Sequence, residues 1–211
     1  MAGLFKIPGP TLQRLPRYLR VLRKLARQGQ QYVSSSALGS QLNIQEYQVR
    51  KDLTHTRSRG RPGKGYLIEE LVEALEDLLG LNKVHEAVVV GAGRLGGALS
   101  DYPGFARYGM KIVALFDNNP EKIGRSIGGV PVIDTSQMVK LLQRMAISLA
   151  VLTTPAEVAQ DAADDLVSGG VKAIWNFAPE VLDVPPDVYV KNEDLAASLA
   201  SLSHHVTSIE E

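Results

Sequence analysis

Over the first 80 residues, apolar positions recur every three or four residues and predict a series of short helices. Thr11 is the predicted N-cap of the first helix, because Pro8 and Pro10 discourage helical structure before it. A glycine-rich, basic stretch at residues 57–66 lacks this pattern and predicts an exposed loop. The predicted helices cover residues 12–27, 37–42, 46–54 and 68–79.

Beyond residue 80 the pattern changes to short apolar runs that alternate with amphipathic segments. Strands alternating with helices are typical of a parallel sheet with right-handed crossovers. The predicted strands cover residues 87–90, 111–116, 130–133, 147–152, 171–175 and 188–190. The predicted helices of this part cover residues 136–144 and 157–167.

A last helix is predicted at the end of the chain, where apolar residues repeat at 4-3-4-3 spacing. This seam consists of Leu195, Leu199, Leu202, Val206 and Ile209. An apolar seam requires a surface that covers it. We favour a second copy of the chain for this role, and packing within the same chain is the alternative.

These patterns divide the 211 residues into three parts. Residues 1–80 are predicted to form a winged helix-turn-helix domain, and residues 81–190 a Rossmann-type α/β domain with a doubly wound parallel sheet. Residues 191–211 are predicted to form a dimerisation helix. The chain has no cysteine, which excludes disulfides and a thiol switch. It shows neither a signal-peptide pattern nor an apolar run of the roughly 20 residues that a membrane span requires. We therefore expect a cytoplasmic protein without a membrane partner.

Charge is divided unevenly between the two halves, although the whole chain has a formal net charge of zero. Residues 1–66 contain 13 Lys and Arg against 2 acidic residues, a net charge of +11, and the remainder carries −11. A basic module joined to an acidic one indicates that the first binds a polyanion and the second does not. A basic, solvated surface without a partner is the alternative.

The segment 37–54 predicts a short helix, a tight turn and a second helix, the helix-turn-helix arrangement of DNA-binding proteins. The second helix would present polar and basic side chains to the major groove. Gln48 and Arg50 are the candidates for contacts to base edges, and Lys51 is equally suited to a phosphate. Tyr47 is ambiguous between the inner and the outer face. A solvated helix face is the alternative for each of them.

The loop RSRGRPGKGY, residues 57–66, follows the predicted second helix. After a helix-turn-helix, a tight cationic loop of this kind predicts a β-hairpin wing. Its candidates for contacts to phosphates or to a narrow minor groove are Arg59, Arg61 and Lys64. A mobile basic linker is the alternative.

Three glycines follow the strand at residues 87–90 with the spacing G-x-G-x-x-G. Gly91 permits the tight turn, Gly93 leaves room for a pyrophosphate, and Gly96 lets the next helix pack closely on the strand. The predicted phosphate loop comprises Gly91, Ala92, Gly93, Arg94, Leu95 and Gly96. A glycine-rich turn in another kind of α/β domain is the alternative.

Asp117 ends the second predicted strand, 21 residues after Gly96. In dinucleotide-binding domains an acid about 20 residues after the last glycine binds the ribose hydroxyls of the adenosine. A carboxylate at this position would repel the 2′-phosphate of NADP. The carboxylate at this position therefore favours NAD over NADP.

Further candidates for a nucleotide pocket lie at the carboxyl ends of later strands, where open α/β sheets bind their ligands. They are Thr153, Thr154, Pro155, Asn176 and Phe177. Ordinary loop chemistry is the alternative for each of them.

A small NAD-dependent dehydrogenase is the main alternative for the whole chain. Such an enzyme needs a proton donor or acceptor beside the nicotinamide. None of the four histidines falls at the carboxyl end of a predicted strand, and their spacing does not indicate a metal site. A DNA-binding protein that responds to another nucleotide is the third interpretation. We therefore predict no catalytic residue and no metal.

Taken together, these motifs resemble the Rex family of redox-sensing transcriptional repressors over nearly the whole chain. The segments that carry the resemblance are TLQRLPRYLRVL, YQVRKDL, GRPGKGY, VVGAGRLGGAL, FDNNPEKIGRSIGGVPV, TTPAEVAQ, NFAPEVLDVP and KNEDL. The resemblance implies a homodimer of winged-helix and Rossmann domains with a swapped C-terminal helix. It implies binding to palindromic operator DNA when NAD⁺ prevails, and release when NADH binds.

The resemblance also assigns roles to particular residues. It places the recognition helix in YQVRKDL, and it implies that Tyr102 and Asp194 sense the nicotinamide state across the dimer. The sequence departs from the family at Leu195, where relatives often have an aromatic residue, and at residues 55–57, where an aromatic-glycine pair is usual. Closure of the pocket and the wing contacts are therefore expected to differ.

Overall fold

The computed structural model describes the backbone of residues 7–207 and the side chains of residues 7–203. The chain divides into two units, Met1–Lys83 and Val84–Glu211, named here the N-terminal and the C-terminal unit. This division lies close to the boundary that we expected at residue 80, and it leaves the terminal helix within the C-terminal unit. The seam residues Val206 and Ile209, and the histidines at 204 and 205, lie outside the described side chains.

The N-terminal unit consists of helices and one small antiparallel sheet over the described residues. Its elements are α1 (Gly9–Arg27), β1 (Tyr32–Val33), α2 (Ser35–Leu42), α3 (Glu46–Leu53), β2 (Tyr66–Leu67) and α4 (Ile68–Leu78). Strand β1 pairs with β2, so the loop between α3 and α4 returns to the segment that precedes α2. The two-residue strand β1 was not predicted, because a strand of this length has no periodicity of its own.

Helix α1 begins at Gly9, earlier than the sequence prediction. Pro8 is its N-cap and Pro10 lies in its first turn, where the missing N–H of a proline costs no helical hydrogen bond. The prediction that Thr11 caps this helix was therefore wrong. Thr11 lies inside the helix, and its buried hydroxyl donates a hydrogen bond to Asp52.

The turn between α2 and α3 has the local chemistry of a helix-turn-helix. The Ser34 hydroxyl caps α2 by accepting a hydrogen bond of 3.0 Å from the N–H of Ala37. Asn43 ends α2 in the left-handed conformation, with φ of 54°. A Cβ at Gly39 would overlap the carbonyl oxygen of Ile44, so only glycine lets the two helices approach this closely.

The core of the N-terminal unit is formed by the apolar stripes of the four helices. Its fully buried leucines include Leu15, Leu19, Leu22, Leu38, Leu71 and Leu75. Burial of a side chain of this size contributes roughly 1.5–3 kcal/mol to stability. Val49 and Leu53 anchor α3 on the same core, as the helical spacing predicted.

The C-terminal unit is an α/β sandwich around a seven-stranded sheet. Its elements are β3 (His85–Val90), α5 (Arg94–Ser100), β4 (Met110–Asp117), β5 (Ser126–Ile127), β6 (Val130–Asp134), α6 (Met138–Met145), β7 (Leu149–Leu152), α7 (Ala159–Ser168), β8 (Ala173–Asn176), β9 (Tyr189–Asn192) and α8 (Leu195–Thr207). Short 3₁₀ turns precede α6 and α7, which therefore begin later than predicted.

The strand order is β5-β6-β4-β3-β7-β8-β9, and only the edge strand β5 is antiparallel. The chain proceeds outward from β3 to β6 and then returns to β7 on the other side of β3. This reversal is the switch point at which open α/β sheets bind ligands. The predicted doubly wound parallel sheet is confirmed.

The central strands are buried on both faces, as parallel sheets require. Val88 and Val90 pack with Phe116 on one face, and Ala87 and Val89 belong to the apolar cluster of the other face. This burial explains why the strands appear in the sequence as continuous apolar runs rather than as alternating patterns. The rigid edge that results holds the loops at the carboxyl ends of β3, β4, β7 and β8.

Helix α8 follows β9 and presents an uncovered apolar surface in the single chain. Leu195, Leu199 and Leu202 are 59%, 70% and 55% exposed. Packing within the chain, the alternative considered for this seam, is therefore excluded for these three described side chains. No helix among residues 7–207 is long and apolar enough to cross a membrane.

Candidate functional site

Helix α3, the predicted recognition helix, exposes a polar face away from the core. Tyr47, Arg50 and Lys51 are exposed on it. The Arg50 guanidinium lies 3.5 Å from the Glu46 carboxylate one turn earlier, a weak pair because both side chains are well hydrated. Arg50 and Lys51 therefore remain accessible to an external anion.

Gln48 is directed differently from these neighbours. It is half-buried, and its Nε2 donates a hydrogen bond of 2.9 Å to Oδ1 of Asp52. The sequence pattern placed Gln48 beside Arg50 as a residue for base contacts. The structure instead engages its amide with an acid in the interior of the unit.

Asp52 is fully buried and is the acceptor of a network that joins α3 to α1. Arg14 donates to it through Nε at 2.6 Å and through Nη2 at 2.8 Å. The hydroxyls of Tyr18 and Thr11 donate to it at 2.7 and 2.9 Å. Burial alone raises the pKa of Asp52, but hydrogen bonds from Arg14, Tyr18, Gln48 and Thr11 outweigh it and hold the pKa at about 2.

The sequence analysis missed this network. Thr11, Arg14 and Tyr18 occupy positions i, i+3 and i+7 of α1 and so share one face, and Asp52 follows the core residue Val49 by three positions on α3. An acid on an apolar face was the signal that could have revealed it. The carboxylate contributes stability that is present above its unfolded pKa, near 4, and is lost as the pH falls towards 2.

The wing is a tight loop closed by a β-bridge between Arg61 and Gly65. Arg61 is held against the unit, since its guanidinium pairs with Glu70 of α4 at 3.1 Å and bonds the Tyr32 hydroxyl at 3.2 Å. Lys64 lies over the Tyr32 ring, and Arg59 is exposed. Arg61 thus contacts both α4 and β1, which the sequence did not indicate.

The glycine loop of the C-terminal unit follows β3 at the switch point of the sheet. A Cβ at Gly91 would lie 2.9 Å from the carbonyl oxygen of Thr153, and φ is +98° at Gly91. A Cβ at Gly96 would overlap the carbonyl oxygen of Gly91. By contrast, a Cβ at Gly93 meets no other atom within 4 Å. The first and last glycines are therefore required by the fold, whereas Gly93 borders open space.

Asp117 lies at the end of β4 beside this loop and is almost completely buried. Its carboxylate accepts hydrogen bonds from the N–H of Ala92 at 2.8 Å and of Asn119 at 2.9 Å. It also pairs with Lys122 at 2.9 Å. Burial raises the pKa of Asp117, but the bonds from Lys122, Asn119 and Ala92 outweigh it and hold the pKa below its usual value. Lys122 is a neighbour of the predicted ribose site that the sequence analysis did not name.

The loop after β7 brings two threonines to the glycine loop. The Thr153 hydroxyl lies 3.0 Å from the carbonyl oxygen of Val90 and 2.9 Å from that of Gly91, so it braces the turn. The Thr154 hydroxyl is buried and has no hydrogen-bond partner among the described residues. A buried polar atom without a partner costs stability, which indicates that a ligand or water completes it. Pro155 is exposed and begins the following 3₁₀ turn.

The loop after β8 is held by Asn176 and faced by an aromatic cluster. The fully buried Asn176 amide bonds the carbonyl of Glu180, the side chain of Asn192 and the N–H of Ala178, each at 2.9 Å. Asn176 therefore shapes the loop, with its amide engaged inside the protein. The cluster consists of Tyr102, Phe105, Trp175 and Phe177, with neighbouring ring centres 4.5–6.0 Å apart.

The remaining predicted nucleotide residues are exposed at the rim. Arg94 and Leu95 open α5, and Tyr102 is 57% exposed. Asp194 caps α8, since its carboxylate accepts a hydrogen bond of 2.8 Å from the N–H of Ala197. Contact between Tyr102 and Asp194 across a dimer stays a prediction. Within the described part of the chain, no group of three or more His, Cys, Asp or Glu could hold a metal ion.

A Rossmann-type sheet with an open glycine loop, joined in one chain to a helix-turn-helix unit with a basic wing, defines a DNA-binding protein with a dinucleotide-binding domain. Residues 82–180 match a family model described as a CoA binding domain, and residues 6–54 match one described as "Putative DNA-binding protein N-terminus". The chain is 42% identical over 195 residues to the redox-sensing transcriptional repressor Rex of Bacteroides fragilis, and the match covers 92% of this chain and 89% of that protein. The chain therefore belongs to the Rex family of redox-sensing transcriptional repressors.

The same name is carried by a relative from Thermus thermophilus that is 44% identical over 198 residues, covering 94% of this chain and 93% of that protein. Among solved structures, RSP in complex with β-NAD⁺ and operator DNA matches with a TM-score of 0.92 and 36% identity, covering 98% of this chain and 95% of that one. RSP with β-NADH matches with a TM-score of 0.86 and 35% identity, covering 98% and 97%. The family resemblance is thereby confirmed, and these relatives are named as repressors rather than as dehydrogenases.

Proposed function

We propose that this chain is a transcriptional repressor that senses the ratio of NADH to NAD⁺. It binds palindromic operator DNA when NAD⁺ prevails and leaves it when NADH binds. The observation that carries the proposal is the full-length match to RSP, which has been solved with β-NAD⁺ and operator DNA and separately with β-NADH. A repressor has to reach its DNA, so the proposed location is the cytoplasm.

Two features of the C-terminal unit support a dinucleotide site in this proposal. Gly93 leaves open space at the switch point, and the buried Thr154 hydroxyl has no hydrogen-bond partner among the described residues. In this proposal the glycine loop holds the pyrophosphate, and Asp117 accepts a hydrogen bond from the adenosine ribose. Thr154 and Pro155 of the loop after β7, and Phe177 of the loop after β8, border the nicotinamide. Asn176 holds the loop after β8 in place.

The nucleotides control DNA binding by shifting the population of two arrangements of a dimer. NADH has to bind the arrangement that cannot hold operator more tightly than NAD⁺ does, because a ligand with equal affinity for both arrangements shifts nothing. The two nucleotides differ by one charge and by the planarity of the nicotinamide ring. Tyr102 and Asp194 are the polar residues proposed to register this difference.

Asp117→Ala is expected to weaken NADH binding by about tenfold or more, since a hydrogen bond to a charged group contributes about 1.5–3 kcal/mol. Trp175, the single tryptophan of the chain, belongs to the aromatic cluster beside the loop after β8. Quenching of its fluorescence by NADH therefore measures the affinity for NADH. The control is Asp187→Ala, which removes an exposed Asp–Lys pair before strands β8 and β9. Equal NADH affinity of Asp117→Ala and the unaltered protein would contradict the ribose assignment.

Lys51→Ala is expected to weaken operator binding roughly five- to twentyfold and to make the slope of log affinity against log salt shallower by about one. The reason is that an exposed lysine on the recognition helix neutralises a phosphate. Lys24→Ala, which removes an exposed lysine from the last turn of α1, is the matched control. Operator affinity that is the same in Lys51→Ala, Lys24→Ala and the unaltered protein would exclude Lys51 from the DNA interface.

A further inference from the structure

The recognition helix is attached to α1 by a single fully buried carboxylate, Asp52. Arg14, Tyr18, Thr11 and Gln48 direct five hydrogen bonds of 2.6–2.9 Å to its two oxygens. An ionised carboxylate has about four lone-pair sites. Its capacity as an acceptor is therefore filled inside the protein, and no part of it is free for DNA.

From this arrangement we infer that Asp52 and Gln48 form one positioning device, which sets the register of the recognition helix and leaves base reading to other residues of α3. The inference rests on the proposed function, because it concerns how the chain binds operator DNA. It also reassigns Gln48, which the sequence pattern placed among the base contacts.

The apolar contacts of α3 do not set this register by themselves. Val49 and Leu53 bury the helix, but apolar burial is non-directional and allows a helix to rotate or slide on its core. Hydrogen bonds to a charged group are directional and strong. The donors on α1 are spread over positions 11, 14 and 18, about two helical turns, so they fix α3 in both rotation and translation.

The position of Asp52 transmits this register directly to the exposed face. Asp52 follows Arg50 and Lys51 in the same helix, and one residue corresponds to a rotation of about 100°. With the carboxylate directed to α1, the two basic side chains are left exposed. A buried ion pair seldom adds stability beyond what an apolar replacement supplies, which favours a role in specificity for this one.

Gln48 completes the device from within α3. Its Nε2 donates to Asp52 one turn later, and the side chain is half-buried. A glutamine that reads adenine uses its amide nitrogen and oxygen together on the base edge. The contact with Asp52 uses one of the two N–H donors and turns the amide towards the carboxylate inside the unit, so the glutamine contributes to the alignment of the carboxylate.

The preference of a variant for particular base pairs shows whether the replaced side chain positions α3 or reads a base. Affinities are measured for the operator and for operators with single base-pair changes. We expect Gln48→Ala to weaken binding to all of them by one common factor of roughly two to five, whereas Arg50→Ala changes the preference at one position of each half-site. A loss of preference at one position in Gln48→Ala would overturn the inference.

Asp52→Asn tests the role of the buried carboxylate, because asparagine keeps the shape of the side chain and removes the negative charge that Arg14 faces. We expect operator affinity to fall at least tenfold and NADH affinity, measured by Trp175 fluorescence, to stay unchanged. The control is Glu76→Gln, which breaks the other ion pair of α1, Arg23–Glu76 at 2.8 Å, away from α3. Glu76→Gln is expected to keep its operator affinity even where its melting temperature falls. Folded Asp52→Asn with unaltered operator affinity would overturn the inference.

Two further measurements keep the test decisive. If Asp52→Asn fails to fold, Tyr18→Phe removes only the 2.7 Å bond and keeps the buried ring, and it is expected to lower operator affinity two- to fivefold. Amide hydrogen exchange of α3 without DNA is expected to accelerate in Tyr18→Phe and to stay unaltered in Glu76→Gln. Exchange that is unaltered in Tyr18→Phe would overturn the positioning role, whereas failure of the unaltered protein to bind any operator would overturn the proposed function alone.

Discussion

Gly93→Val is expected to weaken the response to NADH by at least about thirtyfold and to leave the fold and DNA binding intact. A Cβ at this position meets no protein atom within 4 Å, and the backbone is extended, with φ of −79° and ψ of −168°, which suits a β-branched residue. The side chain would instead occupy the space proposed for the pyrophosphate. We expect NADH affinity to fall at least about thirtyfold, equal to about 2 kcal/mol, as measured by Trp175 fluorescence.

The matched comparison is Gly91→Ala. There a Cβ lies 2.9 Å from the Thr153 carbonyl oxygen and φ is +98°, so this variant should lose thermal stability together with nucleotide binding. Gly93→Val should have the melting temperature of the unaltered protein and should release operator only at NADH concentrations at least about thirtyfold higher. Normal NADH affinity in Gly93→Val would show that the nucleotide does not lie on the glycine loop.

The double variant Leu199→Ser, Leu202→Ser is expected to convert a dimer into monomers and to lose tight binding to a palindromic operator. Both leucines are more than half exposed in the single chain, so their replacement should not unfold it. In a dimer the exposed parts of four such side chains would be buried, and replacing them would cost about 4 kcal/mol or more of association free energy. The expected dissociation constant of the dimer therefore rises more than about a thousandfold.

Light scattering gives the mass, and a titration with operator DNA gives the affinity of the same samples. Met145→Gln, a polar replacement of an exposed apolar residue at the end of α6, is the control that should remain dimeric. A double variant that stays dimeric and binds the palindrome normally would show that the exposed seam of α8 is not the dimer contact. A twofold dimer also implies two half-sites separated by whole turns of DNA.

The sheet and its ligand edge were predictable because each rests on local signals. Apolar runs marked β3, β4 and β7, and the glycine spacing marked the turn after β3. Parallel topology then followed from the intervening helices, and with it the meeting of Asp117 and Thr153 at one edge. Such features need no knowledge of contacts between distant parts of the chain.

The partners of the polar side chains were not predictable in the same way. Asp52 and Arg14 are 38 residues apart in the sequence. The spacing of hydrophobic residues does not indicate which polar groups meet inside a core. Gln48 and Arg61 have the pattern of free surface groups in the sequence, yet one bonds Asp52 and the other pairs with Glu70. The early start of α1 was missed because Pro8 lies at the N-cap and Pro10 in the first turn, two positions that tolerate proline.

In the proposed function, the nucleotide bound to the C-terminal unit governs DNA binding by the N-terminal unit. The direct measurement is the anisotropy of a fluorescent palindromic operator, found by selection, while NADH is added against a fixed concentration of NAD⁺. We expect release of the operator at NADH concentrations far below that of NAD⁺. Operator binding that is indifferent to both nucleotides would show that the chain is not a sensor of NADH.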